Sequence, residues 1–202
     1  MRRVELTREQ VLAHRLHALG LVGRAAAVTD LAVLDLGVQK HAAGIDAGGV
    51  VYLRLFAPAS DADVAGFLGT SRAAAAPDRP ADLVPVRVDG RAAAAPPEVL
   101  DAIRRAEVPR QVRLLPPSDP WLQGRDREVL VPDAALRRRI WPSLGPPGVV
   151  LSGVDVVGLW RTTQRGRTLQ VVVDGELPAG IDEEAQRLAG VRGTREVTVT
   201  RS

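Results

Sequence analysis

Apolar positions repeat with a helical period at the start of the chain and with a period of two near its end. Leu12, Leu16 and Leu19 recur at helical spacing behind Thr7, which makes a capping-box pattern with Gln10, and Gly20 offers a stop. Residues 24–36 read as a second apolar helix ending near 35–39, and the small, glycine-rich residues 42–49 read as a loop or junction. "VVYLRLFAP", from Val50, has the apolar density of a buried helix or strand and is punctuated by Pro58. Ser60 and Asp63 repeat the capping pattern ahead of Val64, Phe67 and Leu68, one face of a short helix closed by Gly69. Thr70 or Ser71 then caps a third helix, "TSRAAAA", which Pro77 and Pro80 end. Val84, Val86 and Val88 alternate, and Asp89-Gly90 is a hairpin turn signal. Helix, turn, helix, polar third helix and hairpin is the order of a winged helix, whose first two helices bury a small core while the third faces the major groove.

Past Asp101 the pattern predicts a short helix carrying Arg104 and Arg105, then the stiff segment "RLLPPSDPWLQGRDRE" at 113–128. Pro116, Pro117 and Pro120 predict an extended crossing, Asp119 a cap or turn, and Trp121 a plug in the seam. Arg125 and Arg127, on either side of Asp126, either pair internally or project outward. "DAALRRRIW" at 133–141 reads as one more helix. "GVVLSG", "VDVVGLWR", "TLQVVVDG" and "REVTVT" then read as strands, with the helix "DEEAQRLAG" before the last, which suggests a small curled sheet or partial barrel. The expected fold class is α+β: a winged helix-turn-helix unit followed by a small β-rich C-terminal domain. The expected divisions are an N-terminal helical segment at 1–49, a winged-helix domain at 50–112 and the β-rich domain at 113–202.

Composition narrows the chemistry. The 46% hydrophobic fraction supports a packed core, but aromatics are only 3%, so Val, Leu, Ile and Ala must fill it. Cysteine is absent, which removes disulfides, thiolate nucleophiles and cysteine zinc sites and suits a reducing, cytoplasmic setting. No signal peptide and no apolar run of membrane-spanning length is visible. Lys40 is the only lysine among 27 basic residues. Arginine's planar fork suits phosphate, although the abundance of Ala, Gly and Pro also fits coding bias, and a net charge of +3 permits nucleic acid without requiring it. No phosphate-binding or dinucleotide glycine motif is present. His14 and His17 read as a solvated helix face rather than a metal pair, and no metal or cofactor is expected. Arg72, Arg87 and Arg91 are candidate phosphate contacts; Arg137, Arg138 and Arg139 are either a backbone-binding patch or a solvated helix face. Sequence-specific readout by a third helix that is mostly alanine is not expected. Trp141 and Trp160 have apolar neighbours that favour packing, whereas Trp121 is open to either packing or base stacking.

"LLPPSDPWLQGRDREVLVPD" and "RRRIWPSLGPPGVVLSGVDVVGLWR" resemble the C-terminal part of the AlkZ–YcaQ family of winged-helix DNA glycosylases and their winged-helix DNA-binding relatives. "YLRLFAPASDADVAGFLGTSR" with "DLVPVRVDGR" resembles the family's last winged helix, and "LTREQVLAHRLHALGL" with "VLDLGVQ" resembles its N-terminal start. The family carries a long stretch between the last two blocks, where this chain has only residues 40–49, so it resembles an internally shortened member. Glycosylases of the family use Gln followed two residues later by Asp or Gln. The resemblance puts Gln39 at the first position and His41, which departs from the pattern, at the second. A Gln can orient the attacking water but cannot take its proton, whereas His41 could accept one. Asp35 would share a helical face with Gln39. The plainer reading makes Asp35 a helix terminator and Gln39 a hydrogen-bonding edge residue. The resemblance thus implies a protein that contacts double-stranded DNA mainly through the phosphate backbone, the shortening arguing against catalysis. The alternatives are an active glycosylase excising alkylated bases and an interaction module that no longer binds DNA.

Overall fold

The computed structural model describes residues 4–22 and 44–202, apart from the side chains of residues 44–48 and 78. Strand β1 (Val4–Leu6) leads into helix α1 (Arg8–Ala18). The Thr7 hydroxyl accepts from the Gln10 N–H and Gln10 Oε1 accepts from the Thr7 N–H, which closes the capping box the spacing predicted. Leu12 and Leu16 are buried, and Gly20, at φ 69°, ends the helix. The helix expected at 24–36 lies outside the described residues.

Helix α2 (Gly44–Phe56) begins inside the stretch expected to be a loop. Its later turns bury Tyr52, Leu53 and Phe56 on one face, and that burial outweighs the cost of about 1 kcal/mol that each glycine adds to the helix. Gly49 faces the next helix, where a Cβ would stand in ordinary contact 3.6 Å from Val64 Cγ1. That next helix, α3 (Asp61–Leu68), is capped by Ser60 and Asp63 and stopped by Gly69 at φ 71°. The rings of Tyr52 and Phe56 lie 5.0 Å apart, with Phe67 of α3 4.8 Å from Tyr52. Helix α4 (Arg72–Ala75) is a single turn capped by Ser71, followed by a 3-10 turn at Ala76–Asp78.

Strands β2 (Val84–Val88) and β3 (Arg91–Ala95) form the expected hairpin. Asp89 and Gly90 have φ values of 46° and 85°, the paired positive angles a two-residue turn needs. Two further contacts build on it that local pattern did not announce. Strand β1 pairs in parallel with β2, and Ala59 bridges Ala94 between α2 and α3. The alanines of β3, good helix formers, are held extended by this pairing.

Helix α5 (Pro97–Arg105) buries Val99, Leu100 and Ile103. The stiff segment opens as strand β4 (Val112–Leu115), turns through a 3-10 element at Pro120–Gln123, and continues into α6 (Arg127–Leu130) and α7 (Ala134–Ile140). Then come β5 (Gly148–Ser152), β6 (Asp155–Arg165), β7 (Thr168–Gly175), α8 (Ile181–Val191) and β8 (Glu196–Arg201). The four expected strands are all present, and β4 adds a fifth at the edge, in the order β4-β5-β6-β7-β8. All neighbours are antiparallel except β7 and β8, which run parallel because α8 carries the chain across.

The molecule is thus α+β, with two apolar clusters. One joins α1, α2, the hairpin, Trp121 and Leu130 to Val149, Leu151 and Leu159 of the larger sheet. The other contains Leu114, Val150, Trp160 and Val171 with Ile181, Ala185 and Leu188 of α8. Neighbouring residues Val149, Val150 and Leu151 divide between the clusters because successive strand side chains face opposite ways. One sheet face therefore meets the helical half and the other meets α8.

Candidate nucleic-acid interface

The stiff segment is fastened from inside. Arg15, a residue of α1 that the sequence pattern did not single out, is fully buried and reaches Asp126 with both terminal nitrogens, at 2.9 and 2.7 Å. The same guanidinium donates to the Phe56 carbonyl at 2.7 Å, at the end of α2. Burial opposes the Arg15 charge, but the Asp126 carboxylate more than offsets it and the pKa is raised. Tyr52 lies beside this pair, and its hydroxyl accepts from the Arg125 N–H at 3.0 Å. Burial and then the Asp126 charge hold the Tyr52 hydroxyl well above the ordinary tyrosine range. The contact joins residues 111 positions apart. A spacing pattern cannot reveal such a pair; the only signal in the sequence was an arginine on the apolar side of α1.

Asp119 caps the 3-10 element by accepting from the Trp121 N–H at 2.9 Å. Burial pushes its carboxyl up to about 6. Trp121 has no exposed surface, so the question left open by the sequence resolves as packing, and base stacking on this ring is ruled out. Trp160 is buried as expected and donates to the Leu115 and Val149 carbonyls. Trp141 is half-buried, with the Arg127 guanidinium 4.6 Å from its ring centroid.

The candidate arginines divide by what already holds them. Arg87 donates to the Gly90 carbonyl across the hairpin turn. Arg91 pairs with buried Asp63 at 2.7 Å and with Glu128 at 3.1 Å, tying the hairpin to α3 and α6. Arg137 donates to the Val131 and Pro132 carbonyls, both at 2.7 Å, and Arg139 pairs with Asp174. Arg72, Arg125, Arg127 and Arg138 are exposed, and among the described residues none of them has a carboxylate partner. The run at 137–139 therefore does not act as one patch, because two of its three charges are engaged by neighbours.

Arg125 and Arg72 lie against different sides of α3. The Arg125 stem lies 3.9 Å from where a Cβ of Gly66 would stand, while Arg72 lines a cavity of about 70 Å³ with Asp61, Val64 and Leu68. At a helical rotation of about 100° per residue, Gly66 faces away from the Asp61, Val64 and Leu68 stripe.

His14 is buried, and burial followed by the neighbouring Arg15 charge lowers its pKa. That corrects the reading of His14 as part of a solvated face; His17 is exposed as expected. No group of acidic and histidine side chains fit to hold a metal occurs among the described residues. Nor is any helix of the described residues long and apolar enough to cross a membrane. Asp35, Gln39 and His41 lie outside the described residues.

Comparison with known proteins gives this arrangement its context. The family described as DNA glycosylase AlkZ-like matches residues 21–191. The chain belongs to that family. Streptomyces sahachiroi DNA glycosylase AlkZ has a similar fold, with a TM-score of 0.62 at 22% identity over 78% of this chain and 46% of that one. This AlkZ-like chain therefore spans about half the length of that protein. No curated protein matches the chain.

Proposed function

We propose that this member of the AlkZ-like family binds duplex DNA, mainly through phosphate contacts that do not depend on sequence. The observation that carries the reading is that Arg72, Arg125, Arg127 and Arg138 are exposed and lack carboxylate partners among the described residues, within a family named for DNA glycosylases. The unit from α2 to β3 acts as a winged helix. Its element order supports this, with Ala59 as a minimal first strand bridged to β3 and α4 as the helix before the hairpin. Beyond Arg72, α4 offers only alanines, so it can touch phosphate but has no further side-chain donors with which to read base edges.

Titration of a labelled duplex over a salt series tests the reading. Each phosphate contact contributes about −0.9 to the slope of log affinity against log salt, and no binding at low salt rejects the proposal in favour of an interaction module.

A second reading rests on the family match, which spans Gln39. In it the chain still excises alkylated bases, with Gln39 orienting water and His41 or Asp35 assisting. Incubation with alkylated DNA followed by alkaline cleavage of abasic sites detects that activity, and a Gln39→Ala variant of undiminished rate removes Gln39 from the role. Flipping even a damaged base costs a few kcal/mol, which a chain of about half length must supply from fewer contacts.

A further inference from the structure

In the run Arg125-Asp126-Arg127 the middle side chain points inward and the outer two point to solvent. Asp126 is held there by the two-pronged contact with Arg15, and the Arg125 backbone is held by the Tyr52 hydroxyl. The two exposed guanidiniums are positioned as well. The Arg125 stem packs beside Gly66 of α3, 3.9 Å from where a Cβ there would stand, and the Arg127 guanidinium lies 4.6 Å from the Trp141 ring centroid. A cation–π contact of this kind uses no N–H donor of the guanidinium as a hydrogen bond to a carboxylate would, so its donors remain available to an anion.

Both acids adjacent in sequence are occupied elsewhere, Asp126 by Arg15 and Glu128 by Arg91. Among the described residues no carboxylate lies within ion-pair distance of Arg125 or Arg127. Burial is the larger cause that lowers the Arg127 pKa, and the like charge of Arg125 adds to it. Such a pair is repulsive when empty and is relieved by an anion with several acceptor oxygens.

We propose that Arg125 and Arg127 form a preorganised clamp for one phosphate of the DNA backbone, with Trp141 as the positioning residue that orients Arg127. The clamp rests on the DNA-binding reading and narrows it to a defined contact. Its anchor, the buried Arg15–Asp126 pair, ties phosphate binding to the folding of the seam. Little order has to be created on binding, which limits the entropic cost.

Fluorescence anisotropy of a labelled duplex with the full chain, over a salt series, tests the clamp. The Arg125→Ala/Arg127→Ala double variant is expected to lower the magnitude of the log–log slope by about 0.9, the loss of one phosphate contact. Trp141→Leu should lower affinity in the same direction while the chain still melts cooperatively, and Trp141→Phe should restore it. A double variant with the wild-type slope, measured while the wild type binds, overturns the clamp and leaves the DNA-binding reading standing. A Trp141→Leu chain that folds and binds as the wild type does removes Trp141 from the clamp. If that variant fails to melt cooperatively, the exposed arginine variants decide the matter alone. Failure of the wild type to bind at low salt is a separate outcome that ends the DNA-binding reading itself.

Discussion

Two contacts between a buried arginine and a carboxylate, one in each half, are built differently. In the helical half, Arg15 and Asp126 meet prong to prong, with side chains 0% and 3% exposed. In the sheet half, Arg113 meets Glu184 of α8 at 3.3 Å. There the load is spread: Arg113 also donates to the Leu21 and Val112 carbonyls and to Gln111, while Glu184 also receives Arg187 and the Leu114 N–H. Arg15 also donates to the Phe56 and Pro58 carbonyls, so the contrast lies in dryness and bidentate geometry: a fully buried charge loses more with its carboxylate than one in a network nearer solvent.

That difference sets an order of expected damage. Asp126→Ala strands the Arg15 charge in the interior and should cost about 3–5 kcal/mol of stability, measured by chemical denaturation. A loss below about 1 kcal/mol would show that the pair holds the seam less firmly than its geometry implies. The sheet half is more sensitive to shape than to charge. A Cβ at Gly148 would stand 2.4 Å from atoms of the Trp160 ring and 2.7 Å from the Leu115 carbonyl oxygen, so Gly148→Ala should cost about 1–3 kcal/mol by overpacking. Glu184→Ala leaves Arg113 its carbonyl partners, and its cost should fall at the lower end of the about 1.5–3 kcal/mol expected for a hydrogen bond to a charged group. If Glu184→Ala proves as damaging as Asp126→Ala, the distinction between the dry, bidentate pair and the network nearer solvent fails.

An effect read through pH sharpens the comparison at the seam between the halves. Buried Asp119 holds its proton more tightly in the folded chain, with its pKa raised from 3.8 to about 6. The sign follows directly. Its contribution favours folding at pH below 3.8 and is lost as pH rises through about 6. Relative to Asp119→Asn, whose amide oxygen can still accept from Trp121 N–H, the wild type should lose stability across that window. Parallel melting curves for the two chains at every pH would remove Asp119 as a titrating group.

Legibility followed the range of the interactions. The capping boxes at Thr7 and Ser60, the turn at Asp89-Gly90 and the C-terminal strands were readable because each depends on residues a few positions apart. Strand β1 was missed because its partner β2 lies far along the chain. The start of α2 was missed because a buried face downstream overrode the glycine-rich composition of its first turns. At the candidate interface, the sequence marked the right residue type but could not sort it. Arg91 and Arg139 found acids, Arg87 and Arg137 found carbonyls, and Arg72, Arg125, Arg127 and Arg138 stayed open.

By itself, then, the order of residues determined the local elements, an aliphatic core without cysteine and a surplus of arginine, since propensity, capping and alternation act between near neighbours. Tertiary structure alone decided which arginines are spent holding the protein together and which remain available to a polyanion. A guanidinium's role depends on the charge and dryness around it, and the fold supplies those from residues as distant as Arg15 and Asp126.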